Sequence, residues 1–291
     1  MAKAGKVKKR ARAVRSIRDV TKTIEMVASV RFQQTHRAAV ASRPYSGHLA
    51  QLVTAIAAQA EDAPLDHPLL KANASPTTVL LVIAGNRGLC GGFNGAVLRA
   101  AAKARRELIQ AGRQVDLHVI GRKAAEFFRF RRIPIAARHE MAEIPNFTQV
   151  QPLANDFMAA FLAGKIRGVE VAYTRFVSAG QQFPVVEPLL PLTPEHHETT
   201  EHLKAHVGFE MHPSPRALLE ALLPATVRLR LFSFCLDSVV SEQIARIAAM
   251  RAASDNANDM MKDLTRQYNR LRQAKITTEL TEIVGGQSGL E

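Results

Sequence analysis

Tryptophan is absent from this 291-residue chain, and aromatic residues together make up only 5% of it. So few large rings suit a protein with little deep interior to fill. Cysteine is nearly absent too: Cys90 and Cys235 make neither a disulfide framework nor a metal-ligand spacing, which fits a reducing compartment. No run of 18 apolar residues occurs, so no segment reads as a membrane-spanning helix. Acid is scarce at one end. Residues 1–60 hold twelve Lys or Arg against Asp19 and Glu25, which gives +10 of the formal +13.

The remaining composition, 47% hydrophobic and 22% charged, is that of an ordinary globular chain with room for one large domain or two small ones. Its pattern is less ordinary, because both ends read as long helices. Near the N-terminus the apolar positions Val14, Ile17, Val20, Ile24 and Val27, then Tyr45, Leu49, Leu52 and Ile56, step by three and four. Near the C-terminus Leu229, Phe232, Leu236, Val240, Ile244 and Ile247, then Ala257, Met261, Leu264, Tyr268 and Leu271, do the same. These near-heptad stripes predict an antiparallel pair, with Ile24 and Val27 facing the stretch 248–258. The alanine runs at 55–60 and 248–253 would allow close approach. Helices of this length reach on the order of 80 to 100 Å, too long for one compact core.

Between them the pattern alternates. A strand is expected at Thr78–Ala84, a helix from Gly95 to about Gly112, a strand at Val115–Ile120 and a helix at Lys123–Phe130. A further helix, about Val150–Ala163, leads into a strand at Val169–Phe176. That order implies a small, mostly parallel sheet covered by helices. The fold class is therefore α/β: a long antiparallel two-helix coiled coil from both termini plus a small Rossmann-like α/β domain. The expected boundaries are 1–60 for the first shaft helix, 61–213 for the central domain and 214–291 for the second shaft helix.

After the first strand comes Gly85-Asn-Arg-Gly-Leu-Cys-Gly-Gly-Phe-Asn94. A glycine-rich strand-to-helix turn can cradle phosphate. Here no Lys with a following Ser or Thr succeeds Gly92, and the glycine spacing of three, three and one does not match G-x-G-x-x-G. The turn reads as structural, with Arg87, Gly88, Cys90, Gly91 and Gly92 letting helix and sheet pack closely. The basic run Lys6, Lys8, Lys9, Arg10, Arg12, Arg15, Arg18 and Lys22 suits nucleic acid, an anionic membrane or acidic protein loops. It lacks the interleaved aromatics of a stacking surface.

Arg87-Gly-Leu-Cys-Gly-Gly-Phe-Asn94 resembles the R-G-L-C-G-G-L-N turn of the gamma subunit of F-type ATP synthases. Val20–Ala28 and Ala41–Tyr45 are similar to that family's first helix. Ser241–Met250, Ala252–Asn256 and Tyr268–Val284 resemble its C-terminal signature almost residue for residue. Because the match begins by about Lys6, the basic segment reads as part of the shaft rather than a transit peptide.

The resemblance implies a non-catalytic rotor subunit without cofactor, at the cytoplasmic face of a bacterial inner membrane or its organellar equivalent. It would couple ion-driven c-ring rotation to conformational cycling of the alpha and beta subunits. Arg272, Gln273 and Thr277, with Arg246 nearby, would meet the alpha/beta collar; Lys9, Arg10, Arg12 and Lys22 would face beta. The α/β domain would sit against epsilon and the c-ring, without nucleic acid and without direct membrane insertion. The alternative is a basic coiled-coil nucleic-acid-binding protein.

Some positions depart from the family pattern. Asn86 stands where Asp is common, which would loosen a turn salt bridge, and Ala28-Ser-Val-Arg-Phe32 replaces Ala-Ala-Ser-Lys. Pro224 predicts a break or kink at Leu223. His196, His197, His202, His206 and His212 cluster in one stretch; His202 and His206 have helical i, i+4 spacing for a metal but no supporting ligands, so a polar loop is expected. The redox insertion of chloroplast members is absent, since Cys90 belongs to the turn and Cys235 to the helix.

Overall fold

A computed structural model describes residues 2–59, 67–192 and 215–287. The histidine-rich stretch, including His202 and His206, lies outside the described residues, as do the side chains of Leu52, Ile56 and the 55–60 alanine run. The elements run α1 (Ala2–Gln59), a 3-10 turn (Pro68–Leu70), β1 (Thr77–Ile83), α2 (Phe93–Gln110), β2 (Gln114–Ile120) and α3 (Arg122–Phe130). β3 (Ala137–His139), α4 (Phe147–Leu162), β4 (Gly168–Ser178), β5 (Gln181–Leu190) and α5 (Pro215–Gln287) complete them. Contacts divide the chain into two compact units, residues 1–29 with 246–291, and residues 30–245.

The larger unit is built on a five-stranded sheet in the order β3-β2-β1-β4-β5. β1 pairs in parallel with β2 and β4, β2 with β3 in parallel, and β4 with β5 antiparallel. β1 sits in the middle, and its run of β-branched and leucine residues is buried on both faces, as a central parallel strand requires. Successive side chains alternate faces. Leu80 and Val82 enter a core with Val97 and Ala101 of α2, Leu117 and Val119 of β2, and Phe128 of α3. Val79, Leu81 and Ile83 enter the opposite core with Val150, Phe157 and Phe161 of α4 and Leu223, Val227 and Leu231 of α5. Fully burying each Val, Leu, Ile or Phe side chain among these contributes about 1.5–3 kcal/mol. Tyr173 of β4 stacks on Phe234 of α5 at 4.3 Å, and its hydroxyl donates to Glu187 of β5 at 3.0 Å. Near α1, Ala39 joins Phe176, Leu236 and Val240 in a third, smaller cluster.

The strands and helices predicted for this unit are present, with ends within three residues of those expected. α4 begins earlier than expected, at Phe147, because the Asn146 side chain caps it by accepting from the Thr148 N–H at 3.1 Å. Two strands were not anticipated, three-residue β3 and proline-containing β5. α5 runs unbroken through Pro224. The break expected at Leu223 does not occur, because Leu219, Leu223, Val227 and Leu231 are buried around that turn and hold it despite the hydrogen bond that proline removes.

The smaller unit consists of α1 up to Ser29 and α5 from Arg246. On α1 the buried positions are Val14, Thr21, Glu25 and Ala28, a seam stepping by seven, four and three. The predicted α1 stripe is therefore rotated. Ile17 is 56% exposed, Val20 57%, and Val27 also faces solvent. The physical reason is that the seam takes small and polar residues: Thr21 satisfies its hydroxyl on the Arg18 carbonyl at 2.9 Å, and Ala28 leaves room for a close neighbour. On α5 Met250, Ser254 and Ala257 are buried. Met261, Leu264, Tyr268 and Leu271 are half-buried at alternating three- and four-residue steps, as expected. Glu25 meets Arg251 at 3.3 Å, within the stretch expected opposite Ile24 and Val27.

Candidate functional site

In the larger unit the glycine-rich turn is closed by its own side chains. Asn94, in the first turn of α2, accepts from the Gly85 N–H at 2.9 Å and donates to the Arg87 carbonyl at 3.1 Å and the Cys90 sulfur at 3.1 Å. Leu89 (φ +60°) and Gly91 (φ +55°) take the left-handed conformation that reverses the chain. Close approach is required elsewhere than at Gly88 and Gly92, whose Cβ positions face open space. At Gly85 a Cβ would lie 2.9 Å from the Glu242 carboxylate carbon of α5, and at Gly121 (φ +93°) only 1.9 Å from the Ala84 carbonyl oxygen.

Asn86 accepts from the Arg122 N–H at 3.0 Å. It thereby caps α3, whose own N-cap residue, Gly121, has no side chain to offer. The Arg87 guanidinium reaches Glu143 at 2.9 Å, and the other oxygen of Glu143 is ion-paired with Arg31 of α1. One carboxylate thus ties the turn to the long N-terminal helix. The motif points to Arg87 but not to Glu143 or Arg31, because nothing local marks a loop acid as the partner of two distant arginines. Glu242 lies inside the C-terminal block, where no spacing signals that its carboxylate packs against Gly85.

In the smaller unit Arg272, Gln273 and Thr277 are exposed, off the seam through Leu264, Tyr268 and Leu271. The Thr277 hydroxyl donates to the Gln273 carbonyl at 3.1 Å, so Arg272 and Gln273 are the groups presented outward. Arg246 is buried, so it is not presented to a partner as those two are. Lys9, Arg10 and Arg12 are exposed on α1. Lys22 instead turns its ammonium to Glu25 at 3.1 Å. That hydrogen bond, followed by Arg251, holds the Glu25 carboxyl below the usual carboxylate range, against the opposing effect of burial.

His118 and His139 make a second titratable cluster, in the larger unit. Their ring nitrogens lie 3.0 Å apart, and both rings contact Phe157. Burial lowers both pKa values, and for His118 the neighbouring His139 lowers it further. Among the described residues no group of three or more His, Cys, Asp or Glu is placed to hold a metal, and no helix is long and apolar enough to cross a membrane.

Helices drawn from both chain ends, an α/β unit, and polar groups presented outward from the helix pair suit a class: a stalk-forming subunit of a larger assembly. A family model described as ATP synthase matches residues 3–290. The ATP synthase gamma chain of Rhodopirellula baltica is 36% identical over 299 residues, covering 100% of both chains. That of Leptospira biflexa is 36% identical over 292 residues, again covering 100% of both. In fold the chain is similar to one in the Euglena gracilis mitochondrial ATP synthase, OSCP/F1/c-ring, with TM-score 0.64, 17% identity, and coverage of 99% and 94%. The chain belongs to the ATP synthase gamma-chain family, the central-stalk subunits of F-type ATP synthase. This sets the nucleic-acid reading aside.

Proposed function

We propose that the chain is the rotating shaft that couples a turning membrane c-ring to the conformational cycle of alpha and beta subunits, and that it carries no catalytic centre itself. The observation that supports this best is the outward aliphatic face of α1 in the smaller unit. On α1 Thr21, Glu25 and Ala28 join Val14 in the seam, while Ile17, Val20, Met26 and Val27 stand outward in solvent. A pair of helices left alone in water would bury its large aliphatics; outward aliphatics fit a helix pair enclosed by a sleeve of other subunits. Around them, exposed Arg272 and Gln273 would supply polar contacts weak enough to be broken once per step. Exposed Lys9, Arg10 and Arg12 would face acidic loops of beta. The α/β unit would lie toward epsilon and the c-ring, and the subunit would be peripheral at the cytoplasmic face of a bacterial inner membrane.

The test is assembly. Ile17→Lys with Val20→Lys removes two outward aliphatics without touching the seam, so the isolated chain should keep its helix content and melting temperature. Assembly with alpha and beta should fall by two orders of magnitude or more, since each lost aliphatic contact is worth about 1.5–3 kcal/mol. Normal assembly of the double variant would show that this face meets no sleeve.

A further inference from the structure

Three helices of the α/β unit end alike. α2, α3 and α4 each close on a residue in the left-handed conformation: Gly112 (φ +76°), Arg132 (φ +56°) and Gly164 (φ +69°). In each case the next amide reaches back five residues: Arg113 to Leu108 O at 3.1 Å, Ile133 to Phe128 O at 3.0 Å, and Lys165 to Ala160 O at 3.0 Å. This closure favours glycine, because a Cβ crowds the backbone there. Two of the helices use glycine. α3 keeps arginine at a conformational cost, which points to a use for the side chain.

The neighbouring residue is equally out of place for a folded core. Phe130 is 89% exposed, more than any other large hydrophobic among the described residues. Residues 122–132 contain Arg122, Lys123, Arg129, Arg131 and Arg132 against Glu126, a net charge of +4. Glu126 is already ion-paired with Lys123 at 2.7 Å and Arg122 at 3.6 Å. The Arg131 guanidinium rests 4.3 Å over the Phe127 ring, which holds it at the helix end. Parallel strand–helix units place the C-terminal ends of α2, α3 and α4 on one edge, where the parallel strands begin. On that edge Ile109 and Leu162 are also exposed, and Arg113 and Lys165 follow them.

We propose that this edge, led by Phe130 with Arg129, Arg131 and Arg132, docks on an anionic phospholipid surface. The charge is complementary to lipid phosphates, which guanidiniums bind in bidentate fashion. A ring projecting from a helix end seats at the boundary between headgroups and acyl chains without any spanning segment. The inference rests on the peripheral placement proposed above.

Because the chain contains no tryptophan, the Phe130→Trp substitution gives the full-length protein a single indole reporter at the tip of this edge. With vesicles of phosphatidylcholine containing phosphatidylglycerol, the indole emission should shift to the blue and be quenched by brominated acyl chains; vesicles of phosphatidylcholine alone should do neither. Arg129→Gln and Arg131→Gln should each weaken binding about fivefold. Arg132→Gly should weaken it equally while the melting temperature stays level or rises, since glycine suits the left-handed site; a purely structural Arg132 would not separate the two readouts. Vesicle binding with the indole still water-exposed would assign the affinity to the basic N-terminal helix and overturn the proposal. An emission shift produced only by purified partner subunits would overturn it in favour of an acidic protein surface. A water-exposed indole in a chain that assembles normally with alpha and beta would refute lipid docking and leave the shaft reading intact.

Discussion

Glu25 is the charged residue whose removal should say most about the helix pair. Its side chain is 7% exposed, but its partners are not buried with it: Lys22 is 59% exposed and Arg251 69%. Breaking a fully buried ion pair costs about 3–5 kcal/mol because one charge is stranded. Here the stranded partners return to water, so that penalty does not apply. What is lost on Glu25→Gln is the charge assistance in two hydrogen bonds, about 1 kcal/mol in total at neutral pH. The sign of the pH dependence follows from the lowered pKa of Glu25. A depressed carboxylate stabilises the fold above its unfolded pKa and loses that contribution as pH falls through the folded value. The difference between wild type and Glu25→Gln should therefore hold near pH 7 and shrink progressively in acid, as pH falls below the unfolded value of about 4.3. Thermal melts followed by helical circular dichroism measure it, and a double-mutant cycle with Arg251→Gln isolates the cross-helix pair. Zero coupling energy between positions 25 and 251 would refute the register described above, and a Glu25→Gln effect independent of pH would refute the ion pairing of Glu25 with Lys22 and Arg251.

Other clusters can be probed in the same way. Replacing Arg272 and Gln273 by Leu should leave the shaft folded, since both lie off the seam. On the proposed collar contact it would remove charge-assisted contacts of about 1.5–3 kcal/mol and lower multisite ATPase and ion-driven synthesis while sparing single-site hydrolysis; unchanged multisite turnover would place torque transmission elsewhere. Gly121→Ala meets both a positive φ and a backbone oxygen at 1.9 Å, so it should destabilise the α/β unit by about 3 kcal/mol or more, read as a drop in melting temperature. His118 and His139 have lowered pKa values, so their neutral forms stabilise the fold at and above the unfolded value of about 6.5, and stability declines as pH falls below it. His139→Asn should flatten that decline, measured by denaturant unfolding at several pH values.

How far the sequence could be read depended on which residues carried each contact. On α5 the stripe from Ala257 to Leu271 was legible because large apolar residues occupy the seam itself. On α1 the same rule pointed to the wrong face, because hydrophobicity there marks the outward surface while Thr21, Glu25 and Ala28 fill the seam. Periodicity reports where apolar residues lie, and a helix that serves a partner need not turn them toward its own chain. β1, β2 and β4 announced themselves by dense β-branched runs. β5 did not, since Pro184 and Pro188 read as strand breakers yet are tolerated on an edge strand with one free side. At the turn, the missing phosphate-binding residues were visible at once. The bridge from Arg87 through Glu143 to Arg31 was invisible, because its members lie far apart in the chain on either side of the turn.

The two thiols supply this protein with an internal clock. Cys90 and Cys235 are both buried within the α/β unit, and burial pushes the Cys235 thiol far above its ordinary pKa. Neither can meet a thiol reagent until its surroundings open, so in the native state the labelling rate is the intrinsic rate scaled down by the opening equilibrium. For a unit stable by about 5–10 kcal/mol the retardation spans roughly four to seven orders of magnitude. Cys90, in the turn after the central strand, times the loosening of that turn; Cys235, on α5, times the release of the long helix. Their ratio under load would separate a stalk that bends at the turn from one that peels its helix away.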